Sequence, residues 1–258
     1  MLAYDRKGSG PPLALIHPLG AHRGVWNPVL PLLAQHFDVI AVDMPGFGES
    51  PSLPEDVPAT AATIAAELRA TLRSLEIDSA HVAGISLGGW VALELGKSDT
   101  ALSVTTLCAA GFWRHVLGPR PEIARTTARR LMPVLRPLMR VGPFRRAALT
   151  GTMAHPENVP YPDAYQLIRA YATAEGFSRA NHEMRSALFT GFDEIDVHVT
   201  MAWADRDRSV TAPDSVPEGV DVRRLRDCGH VPTWDSPEQV AAVIREGARH
   251  GSATGAAT

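Results

Sequence analysis

The feature that most restricts this chain is five residues long. Gly84-Ile85-Ser86-Leu87-Gly88 sits inside HVAGISLGGWVALELG (81–96), between a short aliphatic run and an apolar helical stretch. A G-x-S-x-G pattern in that setting predicts a nucleophile elbow, a strand turning sharply into a helix with the serine at its apex. The glycines have a steric reason: the serine backbone is strained in such a turn, and side chains two residues before or after it collide with the neighbouring strand or helix. The turn also puts Ser86 at a helix N-terminus, where unpaired N–H groups and the helix dipole favour a developing anion, so the Leu87 N–H is a candidate oxyanion donor. A plain helix-capping serine is the competing reading. The strand before and the Gly-Gly-Trp helix after argue for the elbow.

Around it, aliphatic runs alternate with helical patterns, as in a mostly parallel sheet covered by helices. Strands are expected at 2–5, 12–17, 37–42, 80–85, 103–108, 198–203 and 220–225, and helices at 24–35, 60–75, 87–97 and 236–250. From 112 to 190 the alternation stops: helical patterns continue between prolines and glycines, with no strand, which predicts an inserted helical cap. The core is then 1–111 with 191–250, and the small polar end, GSATGAAT (251–258), is expected to be a disordered tail.

Composition excludes several classes. With 25 basic and 28 acidic side chains the net charge is -3, so nothing global points to nucleic acid. Cys108 and Cys228 are the only cysteines, too few for a disulfide framework or thiolate zinc site and suited to a reducing compartment. The first ten residues lack an apolar leader core, and no run of about 18 apolar residues follows, so the expectation is a cytoplasmic protein without stable membrane insertion. No metal or cofactor is implied.

Three further motifs follow the order of a known family. His17-Pro18-Leu19-Gly20 closes the second strand; Asp43-Met44-Pro45-Gly46-Phe47-Gly48-Glu49-Ser50 closes the third; and Ala204-Asp205-Arg206-Asp207 and Asp227-Cys228-Gly229-His230-Val231-Pro232 follow the last two. With the elbow, these resemble the α/β-hydrolase family over roughly 1–110 and 190–250. The resemblance implies an α/β-hydrolase fold, a mostly parallel twisted sheet flanked by helices with an inserted helical cap. It implies Ser86 as nucleophile, His230 as general base and Asp207 as the orienting acid, with Leu19 and Leu87 N–H as the oxyanion hole. Asp205 competes with Asp207, since spacing alone does not separate two carboxylates in one loop. Proline replaces the family's first glycine at Pro18 and cannot donate, leaving Leu19 as the donor of that loop. His17 matches the family's structural histidine, His22 has the same structural default, and Asp43 and Ser50 read as scaffolding of a Gly-rich turn.

A serine hydroxyl is a poor nucleophile until an imidazole takes its proton, and a carboxylate fixes that imidazole's tautomer. The resemblance thus implies a serine hydrolase of small carboxylic esters or lactones. The same triad serves carbon–carbon hydrolysis of dienoic acids, cofactor-free perhydrolysis of the haloperoxidase type, and slow-turnover small-molecule receptors. Aspartate-nucleophile dehalogenases and epoxide hydrolases are disfavoured by Ser86. Between Phe112 and Arg146 stand nine arginines (114, 120, 125, 129, 130, 136, 140, 145, 146) against Glu122, while the rest holds 16 basic against 27 acidic residues. Such a lid either attracts an anion or a membrane surface, or is a solvated face paired with acids elsewhere. Leu131, Val134, Leu135, Leu138 and Met139 keep helical spacing, predicting an apolar underside suited to an apolar acyl group. The expected partner is a small-molecule substrate.

Overall fold

A computed structural model describes residues 1–119 and 121–254. Seven strands form one sheet: β1 (Tyr4–Lys7), β2 (Pro12–Ile16), β3 (Asp38–Val42), β4 (Ala80–Ile85), β5 (Ala101–Leu107), β6 (Val199–Ala204) and β7 (Asp221–Leu225). Their order is β1-β3-β2-β4-β5-β6-β7. β1 runs antiparallel to β3, Tyr4 opposite Val42, and every other pairing is parallel. Parallel strands covered on both faces read as unbroken apolar runs, and all six residues of β4 are buried.

The two-residue period of the strands divides the core in two. Ala14, Ile16, Ile40, Val42 and Val82 feed one apolar cluster, and Leu13, Leu15, Val39, Ala41 and Ala83 the other. Each fully buried Leu or Ile contributes roughly 2 kcal/mol.

The segment expected as one helix at 24–35 is instead a 3₁₀ turn, Arg23–Trp26, and a short α1, Leu30–Leu33. Pro28 and Pro31 remove two N–H donors there and disfavour helical backbone before them. α2 (Ala61–Ser74) is capped by Thr60, whose Oγ1 accepts the Thr63 N–H at 3.1 Å. α3 (Leu87–Gly96) is apolar on nearly every side and buried accordingly.

Between β5 and β6 lie α4 (Ile123–Arg140), α5 (Gly142–Leu149), α6 (Tyr161–Thr173) and α7 (Phe177–Ser186), with no strand among the described residues. α4 buries Leu135 and Met139 but turns Val134 outward at 47% exposure, because 100° per residue sets Val134 well off the line of Met139. The segment is anchored by arginines. Arg125, 6% exposed, donates to the carbonyls of Tyr171 and Ala174 and pairs with Glu122, while Arg179 donates to the carbonyls of Leu53, Pro54 and Val57. Arg120 lies outside the described residues.

α8 runs Pro237–Thr254, taking up the first four residues of the tail expected from 251; residues 255–258 lie outside the described part. The helix continues because Gly251 is buried: a Cβ there would lie 2.5 Å from the Leu102 carbonyl oxygen. Among the described residues no helix is long and apolar enough to cross a membrane.

Candidate active site

Ser86 stands between β4 and α3 with φ +55° and ψ -117°, a backbone conformation rarely adopted by side-chain-bearing residues. Backbone bonds brace it: Ser86 N–H donates to Leu107 O (2.9 Å), and its own carbonyl accepts from Trp90 and Ala110 N–H (3.1 and 3.0 Å). A Cβ on Gly84 would lie 2.0 Å from the Gly88 carbonyl oxygen, and one on Gly88 would lie 2.3 Å from the Ile16 oxygen. Both positions therefore exclude any larger residue, and the elbow is packed against the end of β2.

That end carries the His17 loop. His17 Nδ1–H donates to Pro18 O (2.8 Å) and Nε2 accepts Met44 N–H (3.0 Å), so its tautomer is fixed and both ring nitrogens are used by backbone. Complete burial lowers its pKa to about 4 against the opposing charge of Asp43. This is the structural role expected of it; His22 likewise accepts the Gly24 N–H at 3.2 Å. Leu19 is half-buried and Leu87 is buried at the first turn of α3. Neither N–H donates to a protein acceptor among the described residues. Gly20 has φ +79° and lies beneath Tyr171 and Phe177, so the helical segment covers this loop.

On the other side, His230 Nδ1 lies 2.8 Å from Asp207 Oδ2. Asp207 Oδ1 accepts the N–H groups of Ser209 and Val210 (2.7 and 3.0 Å), fixing the carboxylate plane. Burial pushes the Asp207 carboxyl up, but the His230 bond and charge and the two N–H groups outweigh it, and its pKa is lowered. Asp205 points elsewhere: its Oδ1 accepts the Cys228 N–H at 3.4 Å and its Oδ2 lies 3.6 Å from Arg224. Asp207 and His230 are thus joined, whereas the Ser86 hydroxyl, on a residue 6% exposed, is bonded to neither of them. All three stand at the C-terminal edge of the sheet, where open parallel sheets place their sites.

Asp43 and Ser50 lie in the turn after β3. Asp43 accepts from the N–H groups of Arg23 and Glu49 and pairs with the Arg23 guanidinium; Ser50 Oγ donates to Asp43 O and accepts Ala3 N–H. The Asp43 carboxylate and the Ser50 hydroxyl are thus used internally. A cleft of about 670 Å³ is walled by this Arg23–Asp43–Glu49 group and by Gln166 and Arg169, and it does not reach Ser86 or His230. A smaller cavity, about 70 Å³, is lined by Met153, Ala154, Arg206, Arg208, Gly229 and His230.

Sequence reading missed two residues. Asp235 accepts N–H bonds from Gly229 (2.7 Å), Ala154 (3.0 Å) and His155 (2.7 Å), tying the His230 loop to the segment after α5. Its only sequence signal is an acid opening a helix, which suits an ordinary cap. Cys108, buried at φ +49° after β5, brings its sulfur within 4.8 Å of the Asp207 and His230 ligand atoms. Burial and the Asp207 charge push its thiol pKa well up. Leu19, Phe112, Trp113, Tyr171, Met184 and Val210 pack against the apolar cluster that contains Leu87.

The profile described as "Alpha/beta hydrolase family" matches residues 13–243. Among curated proteins, the chain is 39% identical over 97 residues to the pimeloyl-[acyl-carrier protein] methyl ester esterase of Aeromonas hydrophila, covering 38% of this chain and 36% of that protein. It is 26% identical over 260 residues to the dihydrolipoyllysine-residue acetyltransferase component of the acetoin cleaving system of Cupriavidus necator, covering 94% of this chain and 65% of that one. The chain thus spans less than two thirds of either relative. Among solved structures, an esterase of Thermogutta terrifontis superposes with TM-score 0.72 at 23% identity, covering 97% of this chain and 93% of that one. The meta-cleavage product hydrolase of Pseudomonas fluorescens IP01 does so with TM-score 0.70 at 21% identity, covering 97% and 94%.

Proposed function

The chain belongs to the alpha/beta hydrolase family, and from that premise we propose that it is a serine hydrolase cleaving small carboxylic esters or lactones through an acyl-Ser86 intermediate. The observation that carries this reading is the 2.8 Å bond between His230 Nδ1 and an Asp207 carboxylate held by two backbone N–H groups. With Nδ1–H committed to Asp207, the lone pair of His230 resides on Nε2, the nitrogen that accepts the Ser86 proton.

Ser86 Oγ attacks the carbonyl carbon as its proton passes to His230 Nε2. The oxyanion formed is taken by the N–H groups of Leu19 and Leu87, each contributing about 3 kcal/mol to the transition state. Collapse breaks the bond to the alkoxy group, which leaves with the proton from His230. Water, deprotonated by the same nitrogen, then attacks the acyl-Ser86 carbonyl, and Ser86 is regenerated with release of the acid. The apolar cluster that includes Leu19, Phe112, Trp113 and Tyr171 supports an apolar acyl group. The esterase named among the relatives supports the ester class.

The test is a panel of aryl esters of rising acyl length, lactones and vinylogous diketones, assayed with the parent and Ser86→Ala. Turnover of an ester or lactone, abolished in the variant, supports the proposal. Turnover confined to the diketones assigns the site to carbon–carbon hydrolysis.

A further inference from the structure

Away from the catalytic edge, three ligand-bearing side chains meet at the other end of the sheet. His198 immediately precedes β6, Asp221 opens β7, and His250 lies near the end of α8. One ligand atom from each lies within 4.8 Å of the others. The two imidazole rings stand edge to face with centroids 4.8 Å apart. Asp221 Oδ1 pairs with Arg223 Nη1 at 2.5 Å, while its Oδ2 is turned toward His250 Nδ1 at 4.0 Å, too far for a hydrogen bond. Arg223 in turn faces Glu246 at 3.5 Å, which offsets its charge.

The placement of these groups is enforced by packing. A Cβ on Gly247 would lie 2.5 Å from Thr105 Oγ1, and one on Gly251 would lie 2.5 Å from the Leu102 carbonyl oxygen. Two glycines one turn apart therefore let α8 lie directly on β5 and β6, with His250 between them along the helix. The helix cannot carry His250 away from the strand ends without losing that contact.

We propose that His198, Asp221 and His250 form a binding site for a divalent transition cation of the zinc type, which ties the end of α8 to the starts of β6 and β7. Two imidazoles and one carboxylate suit zinc, cobalt or nickel better than calcium or magnesium. Bonds of about 2.0–2.2 Å require the three atoms to close by roughly an ångström, a movement available to the exposed His250 side chain. Water completes the coordination sphere. The site is structural, since the catalytic groups occupy the opposite edge of the sheet.

The test uses the full chain stripped of metal by chelation and then titrated with Zn²⁺ alone, with thermal unfolding and ester turnover read on the same samples. The parent is expected to bind one Zn²⁺ at this site and to gain about 4 °C in Tm. His250→Ala and Asp221→Asn lose that gain and keep the turnover of the metal-free parent. Co²⁺ supplies the second readout: nitrogen and oxygen ligation gives visible bands without sulfur-to-metal absorption. No saturable binding, an equal Tm gain in His250→Ala, or a sulfur-to-cobalt band with lost turnover would overturn the proposal. The last result would place the cation at Cys108, Asp207 and His230 instead.

Discussion

Asp207 Oδ2 lies 2.8 Å from His230 Nδ1, while the neighbouring Asp205 is occupied by Cys228 N–H and Arg224. The two acids are separated by function as well as by direction if Asp207 alone fixes the tautomer. Asp207→Asn is expected to lower ester turnover by about 10⁴ with little change in KM. Asp205→Asn changes turnover little. Steady-state kinetics of the two variants check this, and the reverse ranking contradicts it.

Asp235 gathers three N–H groups from two segments. Its replacement by alanine leaves those donors without their acceptor and frees the His230 loop from the segment after α5. Stability to urea is expected to fall on the order of 3 kcal/mol, and turnover falls with it. An Asp235→Ala protein of parental stability and rate would show that the knot holds nothing.

His17 gives a pH signature. Its folded pKa is about 4, below the 6.5 of an ordinary histidine. Between those values the unfolded chain binds a proton that the native state does not, so stability falls as pH falls through that window, by about 3 kcal/mol in all. Above pH 6.5 both states are neutral and the contribution vanishes. Denaturant titrations from pH 7.5 to 4 are expected to show this loss in the parent and a shallower slope in His17→Gln.

Both thiols should be silent in the folded protein. Burial pushes the Cys228 thiol up to about 12, with the charges of Asp235, Asp205 and Asp227 adding, and burial and the Asp207 charge push the Cys108 thiol well up. At pH 8 the Cys228 thiolate fraction is about one in ten thousand. A disulfide dye is expected to react with no thiol in buffer and with two in denaturant; rapid native reaction of either would contradict the burial.

What was legible in the sequence follows from how local each cause is. The elbow could be read because Gly84 and Gly88 answer a clash between residues four apart in the chain. The seven strands could be read because buried parallel strands are continuous apolar runs. The helix expected at 24–35 failed where two prolines outweighed apolar spacing. The exposure of Val134 could not be read, because apolar character alone does not reveal which side of α4 meets the core. The family resemblance, and not spacing, favours Asp207 over Asp205, because only the fold brings one of them to a histidine 23 residues away. Asp235 and Cys108 were invisible for the same reason: their partners come from other elements. Part of the basic stretch is spent inside the protein: Arg125, Arg129 and Arg145 donate to backbone carbonyls, and Arg125 also pairs with Glu122.

The role of Ser86 as nucleophile is tested most directly by intact mass and peptide mapping after treatment with a fluorophosphonate. One adduct per chain is predicted, on Ser86, formed in step with loss of ester turnover, absent in Ser86→Ala and strongly slowed in His230→Ala. Labelling at another residue, or ester turnover unchanged in Ser86→Ala, would contradict it.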